Sequence, residues 1–354
     1  MKIYRFIIFL FLITIVAGSA KAQNWQLVWS DEFNGTTLDN TVWTPTVAGT
    51  GFGNKELEYY SNRPQNLSVQ NGNLVFNALL ETYTVGSTSW KYTSAKVSTQ
   101  NHKNFLYGKI EARIKLPGAG NGTWPAFWTL GYVGGWPSCG ELDICEFQGS
   151  KPDQYQSNVH TKNYNGTNGT NFHNIQAFTG ISDDFHIWSI EWTPTTSTTA
   201  GKIKFFLDGA QYWTFSSLSV LPVDYPFTSN IYLIFNLAIG GTMGGTVDDS
   251  IFPKQMLVDY VRYYQDATTG TDDVISLDKP TMKTVFNDNL NINFPSSFNG
   301  RKSISLIDLN GKLIFSSSTD NSNFEINGNQ LNKGMYLVKI ETEGKEFTQK
   351  VIKN

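Results

Sequence analysis

Cysteine is nearly absent: Cys139 and Cys145 are the only two in 354 residues. If both lie on one extended segment, six residues at about 3.3 Å each set them about 20 Å apart, beyond the roughly 4.4 to 6.8 Å that a disulfide allows. Two free, buried thiols are expected, since the flanking sequence offers no partners at metal-binding or redox spacing. A surplus of positive charge is missing as well. With 27 Lys and Arg against 30 Asp and Glu, the net charge of -3 leaves no basic surface for nucleic acid. No segment keeps a long 3.6-residue apolar period, and no repeats are present to suggest a structural adhesin. Long apolar runs are confined to Ile7 to Val16. That run follows Lys2 and Arg5 and leads into Ala20-Lys21-Ala22, the pattern of a secretory signal peptide over residues 1–22. It is too short for a membrane span, and no cysteine follows to carry a lipid.

What is present suits an all-β protein: 14% aromatic residues and 31 glycines, in a chain long enough for two domains. Alternating segments run from Trp25 to Phe33, Asn66 to Leu80, Tyr92 to Thr99, Gly108 to Leu116, Ile187 to Trp192, Ile203 to Leu207, Ile231 to Ile239 and Leu257 to Tyr264. Asn71-Gly72 and Asp208-Gly209 are hairpin turns. Many short strands at regular spacing predict a two-sheet antiparallel β-sandwich over 23–265. The glycine-rich segment Asn163 to Thr170 reads as a loop. Composition shifts at 266–273, a linker, and no tryptophan follows it. Residues 274–354 alternate again, at Leu290 to Phe294, Lys302 to Asp308, Lys312 to Ser317 and Met335 to Glu341, with Asn310-Gly311, Asn327-Gly328 and Lys333-Gly334 as breaks. They predict a small all-β domain whose few aromatics make it a poor sugar binder.

Gly140-Glu141-Leu142-Asp143-Ile144-Cys145-Glu146-Phe147 interleaves three carboxylates with apolar residues. In a regular strand Glu141 and Asp143 share one face, and Glu146 falls on the apolar side. An unpaired carboxylate would then be buried. One extra residue near Ile144 and Cys145, a β-bulge, returns Glu146 to the face of the other two and turns Phe147 toward the core. A merely acidic outer face would gain nothing from three close carboxylates that raise one another's pKa, whereas acid–base chemistry uses such a set. Trp124, Trp128 and Trp136 precede the row, and indole faces are platforms for sugar rings; one of the three is expected to be structural. Acids with platforms suggest a glycan cleft.

Glu-x-Asp-x-x-Glu resembles glycoside hydrolase family 16, most of all its laminarinase-type endo-β-1,3-glucanases. The resemblance includes the leading segments Trp136-Pro137-Ser138-Cys139-Gly140 and Gly122-Thr123-Trp124-Pro125-Ala126-Phe127-Trp128. It extends from Trp29-Ser30-Asp31-Glu32-Phe33-Asn34-Gly35 through Asn54-Lys55-Glu56-Leu57 to Val258-Asp259-Tyr260-Val261-Arg262. It implies a concanavalin-like jelly roll and a retaining mechanism needing no cofactor. In that mechanism Glu141 is the nucleophile, Glu146 the general acid/base, and Asp143 the residue between them that tunes both. It further implies Asn54, Arg113, Trp124, Trp128, Trp136, His160 and Asn236 as substrate contacts. A structural calcium on the convex face would be held by Glu32, the backbone of Gly72, and Asp259. Thr242-Met243, after Gly240-Gly241, stands where many laminarinases have an aromatic, a departure that bears on subsite preference. The segment Gly334-Met335-Tyr336-Leu337-Val338-Lys339-Ile340, closing on Lys350-Val351-Ile352-Lys353-Asn354, resembles the C-terminal sorting domain of the type IX secretion system. The expectation is a secreted, monomeric β-1,3-glucan hydrolase with β-glucan and the secretion machinery as partners. Cleavage of mixed-linkage β-1,3-1,4-glucan or of another β-glycan is the alternative of the same chemistry, and a non-catalytic β-glucan-binding protein the alternative of another class.

Overall fold

The computed structural model describes residues 23–196, 198–267, 280–283, 285–295, 300–308, 312–342 and 345–354. The signal peptide expected over 1–22, the Asn310-Gly311 turn, and all of the 266–273 linker except Asp266 and Ala267 lie outside the described residues. Contacts divide the chain into two compact units, one ending at Gly270 and the other starting at Thr271.

The first unit is a sandwich of a ten-stranded and a seven-stranded sheet. The seven strands run in the order Phe172–Ala177, Gln154–His160, Glu141–Glu146, Thr123–Gly131, Ile231–Ile239, Lys96–Ser98, Thr44–Pro45, with every neighbouring pair antiparallel. Ile231–Ile239 is buried at all nine positions. One face enters the core and the other forms the floor of the open side, which is why its sequence is nearly continuous in apolar residues. Rings bridge the two sheets: Tyr155 meets Trp188 edge-on at 4.8 Å, and Phe235, stacked on Phe127 of its own sheet at 4.5 Å, reaches Phe76 of the other at 6.5 Å. Each such side chain taken from water contributes about 1.5 to 3 kcal/mol.

The hairpin turns form as the sequence predicts. Asn71 and Gly72 both take positive φ, 51° and 74°, the type I′ geometry that matches strand twist. The run from Tyr92 to Thr99 is not one strand. Thr88–Ser94 pairs in the ten-stranded sheet and Lys96–Ser98 in the seven-stranded one, and the chain crosses between sheets at the buried Ala95. Alternation is continuous through the crossing, so it carried no mark of the change of sheet.

The second unit has its own core, centred on Leu290, Ile292, Ile304, Leu306, Val338 and Ile340, between a three-stranded and a five-stranded sheet. Asn289–Asn293, Lys302–Asp308, Leu313–Thr319 and Gly334–Thr342 fall where the alternation placed them, and the last strand, Lys345–Lys353, pairs with Gly334–Thr342.

Candidate active site

Gly140, with φ of 79°, turns the chain into the acid strand; a Cβ there would stand 2.4 Å from Pro226. Along Glu141–Glu146 the register against Thr123–Gly131 slips between Asp143 and Cys145, and against Gln154–His160 between Asp143 and Glu146. This is the bulge that the spacing demands. It sends Leu142, Ile144, Cys145 and Phe147 into the core and lines Glu141, Asp143 and Glu146 along the open face. Both cysteines are free and buried.

The neighbouring strands supply what three buried carboxyls need. Glu146 is 5% exposed and accepts Trp124 Nε1–H at 2.9 Å on Oε1; on Oε2 it accepts Gln156 Nε2 at 3.3 Å and Asn158 Nδ2. Glu141 accepts the indole N–H of Trp136 on Oε2. Asp143 Oδ2 lies 3.1 Å from His160 Nε2. Among the described residues no lysine or arginine forms an ion pair with the row, and burial pushes all three carboxyls up. Asp143 adds to the rise at Glu141, and Glu146 to that at Asp143. The four neighbours Gln156, Trp124, His160 and Asn158 hold Glu146 back.

The three tryptophans divide by role. Trp124 is buried and serves Glu146. Trp128 donates to Asn236 Oδ1 at 2.7 Å and carries the Lys96 ammonium 4.7 Å from its ring centre. Trp136 is 47% exposed, open to a ligand. Asn236 donates to Tyr60 Oη at 3.1 Å, Tyr60 donates to Glu56 Oε2 at 2.8 Å, and Asn54 donates to Glu56 Oε1 at 3.2 Å, a polar chain leading away from the acids. Met243 places its sulfur 3.6 Å from Gln156 Nε2, next to Glu146. Sequence reasoning missed Gln156, Asn158, Glu56, Tyr60 and Lys96. The first two had a signal: Gln154, Gln156, Asn158 and His160 alternate with Tyr155, Ser157 and Val159, one hairpin after the acids.

The chain matches glycosyl hydrolases family 16 over residues 53–262. It belongs to that family. It is similar to a β-glucanase of Rhodothermus marinus, 38% identical over 280 residues, which cover 72% of this chain and 93% of that one. The glucan endo-1,3-β-glucosidase A1 of Niallia circulans is 34% identical over 68% of this chain and 38% of its own length. The catalytic domain of an endo-1,3-β-glucanase (laminarinase) from Thermotoga petrophila superposes with a TM-score of 0.63 at 36% identity, covering 70% of this chain and 100% of that one. Residues 286–354 match a secretion system C-terminal sorting domain. The protein is therefore a glycoside hydrolase of the β-glucanase kind, exported to the cell surface or beyond.

Two expectations for this family 16 hydrolase need correction. Arg113 is not at the acids. It lies on Gly108–Lys115 in the ten-stranded sheet, where Ile110, Ala112 and Ile114 point into the core and Arg113 therefore points out, donating to Asp259 Oδ2 at 2.7 Å. The calcium ligands fare similarly. The strand ending at Asp31 and the strand starting at Asn73 both pair with Lys254–Asp266, so Glu32, Gly72 and Asp259 share a region. Yet Glu32 takes Arg262 on both oxygens, at 2.9 and 2.8 Å, and Asp259 takes Arg113. Arg262 holds the Glu32 carboxyl below its usual range. Calcium binds oxygens not already engaged by a cation, so these side chains as arranged do not fit it.

Proposed function

We propose that this protein cuts β-1,3-glucan internally, as a laminarinase, with retention of anomeric configuration. The observation that carries the reading is the bulged row, which puts three acids on one face with N–H donors around the last and an exposed indole beside the first. Glu141 attacks the anomeric carbon while Glu146 gives its proton to the leaving oxygen. Glu146 then takes a proton from the water that displaces Glu141 from the glycosyl ester. Asp143 lies between them and shares a hydrogen bond with Glu141. The similarity to laminarinase and endo-1,3-β-glucosidase supports the linkage, and mixed-linkage glucan is the second substrate to try. A pure binder would have no use for a hydrogen-bonded proton donor.

Digestion of laminarin beside barley mixed-linkage glucan, with product sizing, tests linkage and endo action. Proton NMR of the first products tests stereochemistry: an initial α-anomer sinks the retaining assignment. Residues 23–265 are proposed as the catalytic domain and 274–354 as the export domain. A chain cut after Asp266 should keep its specific activity, and a folded but inactive truncation would overturn that division.

A further inference from the structure

The loop beyond the acids is built more tightly than a surface connection requires. Thr161 N–H donates to Tyr164 O at 2.7 Å, and Asn163 Nδ2 donates to Asp224 Oδ1 at 2.7 Å. Asn165, 2% exposed, donates to Lys162 O at 3.1 Å and accepts from Asn168 N–H at 3.3 Å. Tyr164 packs on Phe172 at 5.0 Å. This framework holds one backbone N–H in place, that of Gly166, which donates to His160 Nδ1 at 3.0 Å. A ring nitrogen that accepts a hydrogen bond carries no proton of its own, so the neutral imidazole has its proton on Nε2. Nε2 lies 3.1 Å from Asp143 Oδ2, a buried oxygen with no hydrogen-bond partner. Although Glu141, Asp143 and His160 place ligand atoms within 4.8 Å of one another, a proton on Nε2 occupies the position a metal would need.

We infer that Gly166 is a positioning residue: its N–H locks His160 as the Nε2–H tautomer, so that the ring presents a donor and not a lone pair to Asp143. With N–H facing it, Asp143 is favoured as the carboxylate. With the other tautomer, a lone pair would face Oδ2 at the same distance, and Asp143 would have to carry a proton itself. The charges acting across this ring, among the described residues, are Glu141, Asp143 and Glu146 on the acid strand; Trp136, 6.2 Å away, adds none. A neutral Asp143 repels the Glu146 carboxylate less, so Glu146 would lose its proton at lower pH. The consequence for catalysis rests on the roles proposed above, whereas the tautomer does not.

The experiment reads the tautomer directly, by long-range proton–nitrogen NMR of ¹⁵N-labelled protein without substrate, with His160 assigned by difference from H160Q. The wild type should show Nε2–H. Gly166→Pro removes the donor at a position that suits proline: Gly166 opens the short turn Gly166–Asn168, and Asn165 before it is extended at φ -151°, ψ 167°. Gly166→Ala keeps the donor, its Cβ 3.3 Å from His160 Cε1. Gly166→Pro should populate Nδ1–H, lower kcat by less than the roughly hundredfold of a lost acid–base group, and move the basic limb of the kcat/KM profile down by about half a pH unit. Gly166→Ala should keep the wild-type tautomer. A wild-type spectrum showing Nδ1–H overturns the inference even if Gly166→Pro fails to fold, and so does a folded Gly166→Pro with unchanged tautomer and pH profile. If the protein proves inactive on every glucan, the spectrum still decides the tautomer.

Discussion

On the ten-stranded sheet Glu32 meets Arg262 and Asp259 meets Arg113, while on the seven-stranded sheet Glu141, Asp143 and Glu146, with no guanidinium paired to them among the described residues, meet one another, the N–H groups of tryptophan, asparagine and glutamine, and the His160 ring. Both sheets thus display carboxylates on an outer face. Where a guanidinium answers the charge, as for Glu32, the carboxyl is held below its usual range. Where none does and the group is buried, it is held above. The first arrangement adds a little stability. The second subtracts stability and leaves protons available for transfer above the ordinary carboxylate range. The difference separates a structural surface from a reactive one more clearly than acidity itself does.

The comparison breaks hardest at the reactive row. Glu141→Ala should reduce glucan hydrolysis to background and be rescued by azide to give an α-glycosyl azide. Glu146→Ala should lose about 10² to 10⁴ on polysaccharide but keep much of its rate on substrates with good leaving groups. Reducing-end release and product NMR check both. Asp143→Asn should slow turnover without ending it, and should also stabilise the fold. Asp143 binds its proton more tightly when folded than when unfolded, so it favours folding below the ordinary carboxylate range and costs stability as pH rises through the raised value. The variant should therefore melt above wild type at neutral pH, by a difference on the order of 1 kcal/mol or more, and the gap should close in acid.

Smaller effects sharpen the contrast. Trp124→Phe removes a donor that lowers Glu146, so the basic limb of kcat/KM should move to higher pH. Across the sandwich the sign reverses. Glu32 is held below its usual range, so its pairing contributes stability above that range and loses it as pH falls through the lowered value. Arg262→Ala should cost up to about 1 kcal/mol near neutral pH, with the loss vanishing in acid and turnover unchanged. Arg113→Ala should cost less than about 1 kcal/mol and leave KM as it was; a raised KM would return Arg113 to the substrate.

The hairpin at Asn71-Gly72, the fully buried Ile231–Ile239 and the acid row were legible because each is a local consequence of residue order. Positive φ suits those turn residues, an unbroken apolar run suits a strand covered on both faces, and two residues between Asp143 and Glu146 leave a carboxylate in the core unless the strand bulges. The alternation in Gln154–His160 could have revealed Gln156 and Asn158 by the same logic. Alternation tells which face a side chain takes, but not which sheet its strand joins. Arg113, Ala95 and the Glu32–Arg262 pair were therefore decided by pairings between segments as much as 230 residues apart. The lock on His160 is of this second kind. Its donor is a glycine amide, identical in the sequence to every other, and only the folded loop brings it to a ring nitrogen.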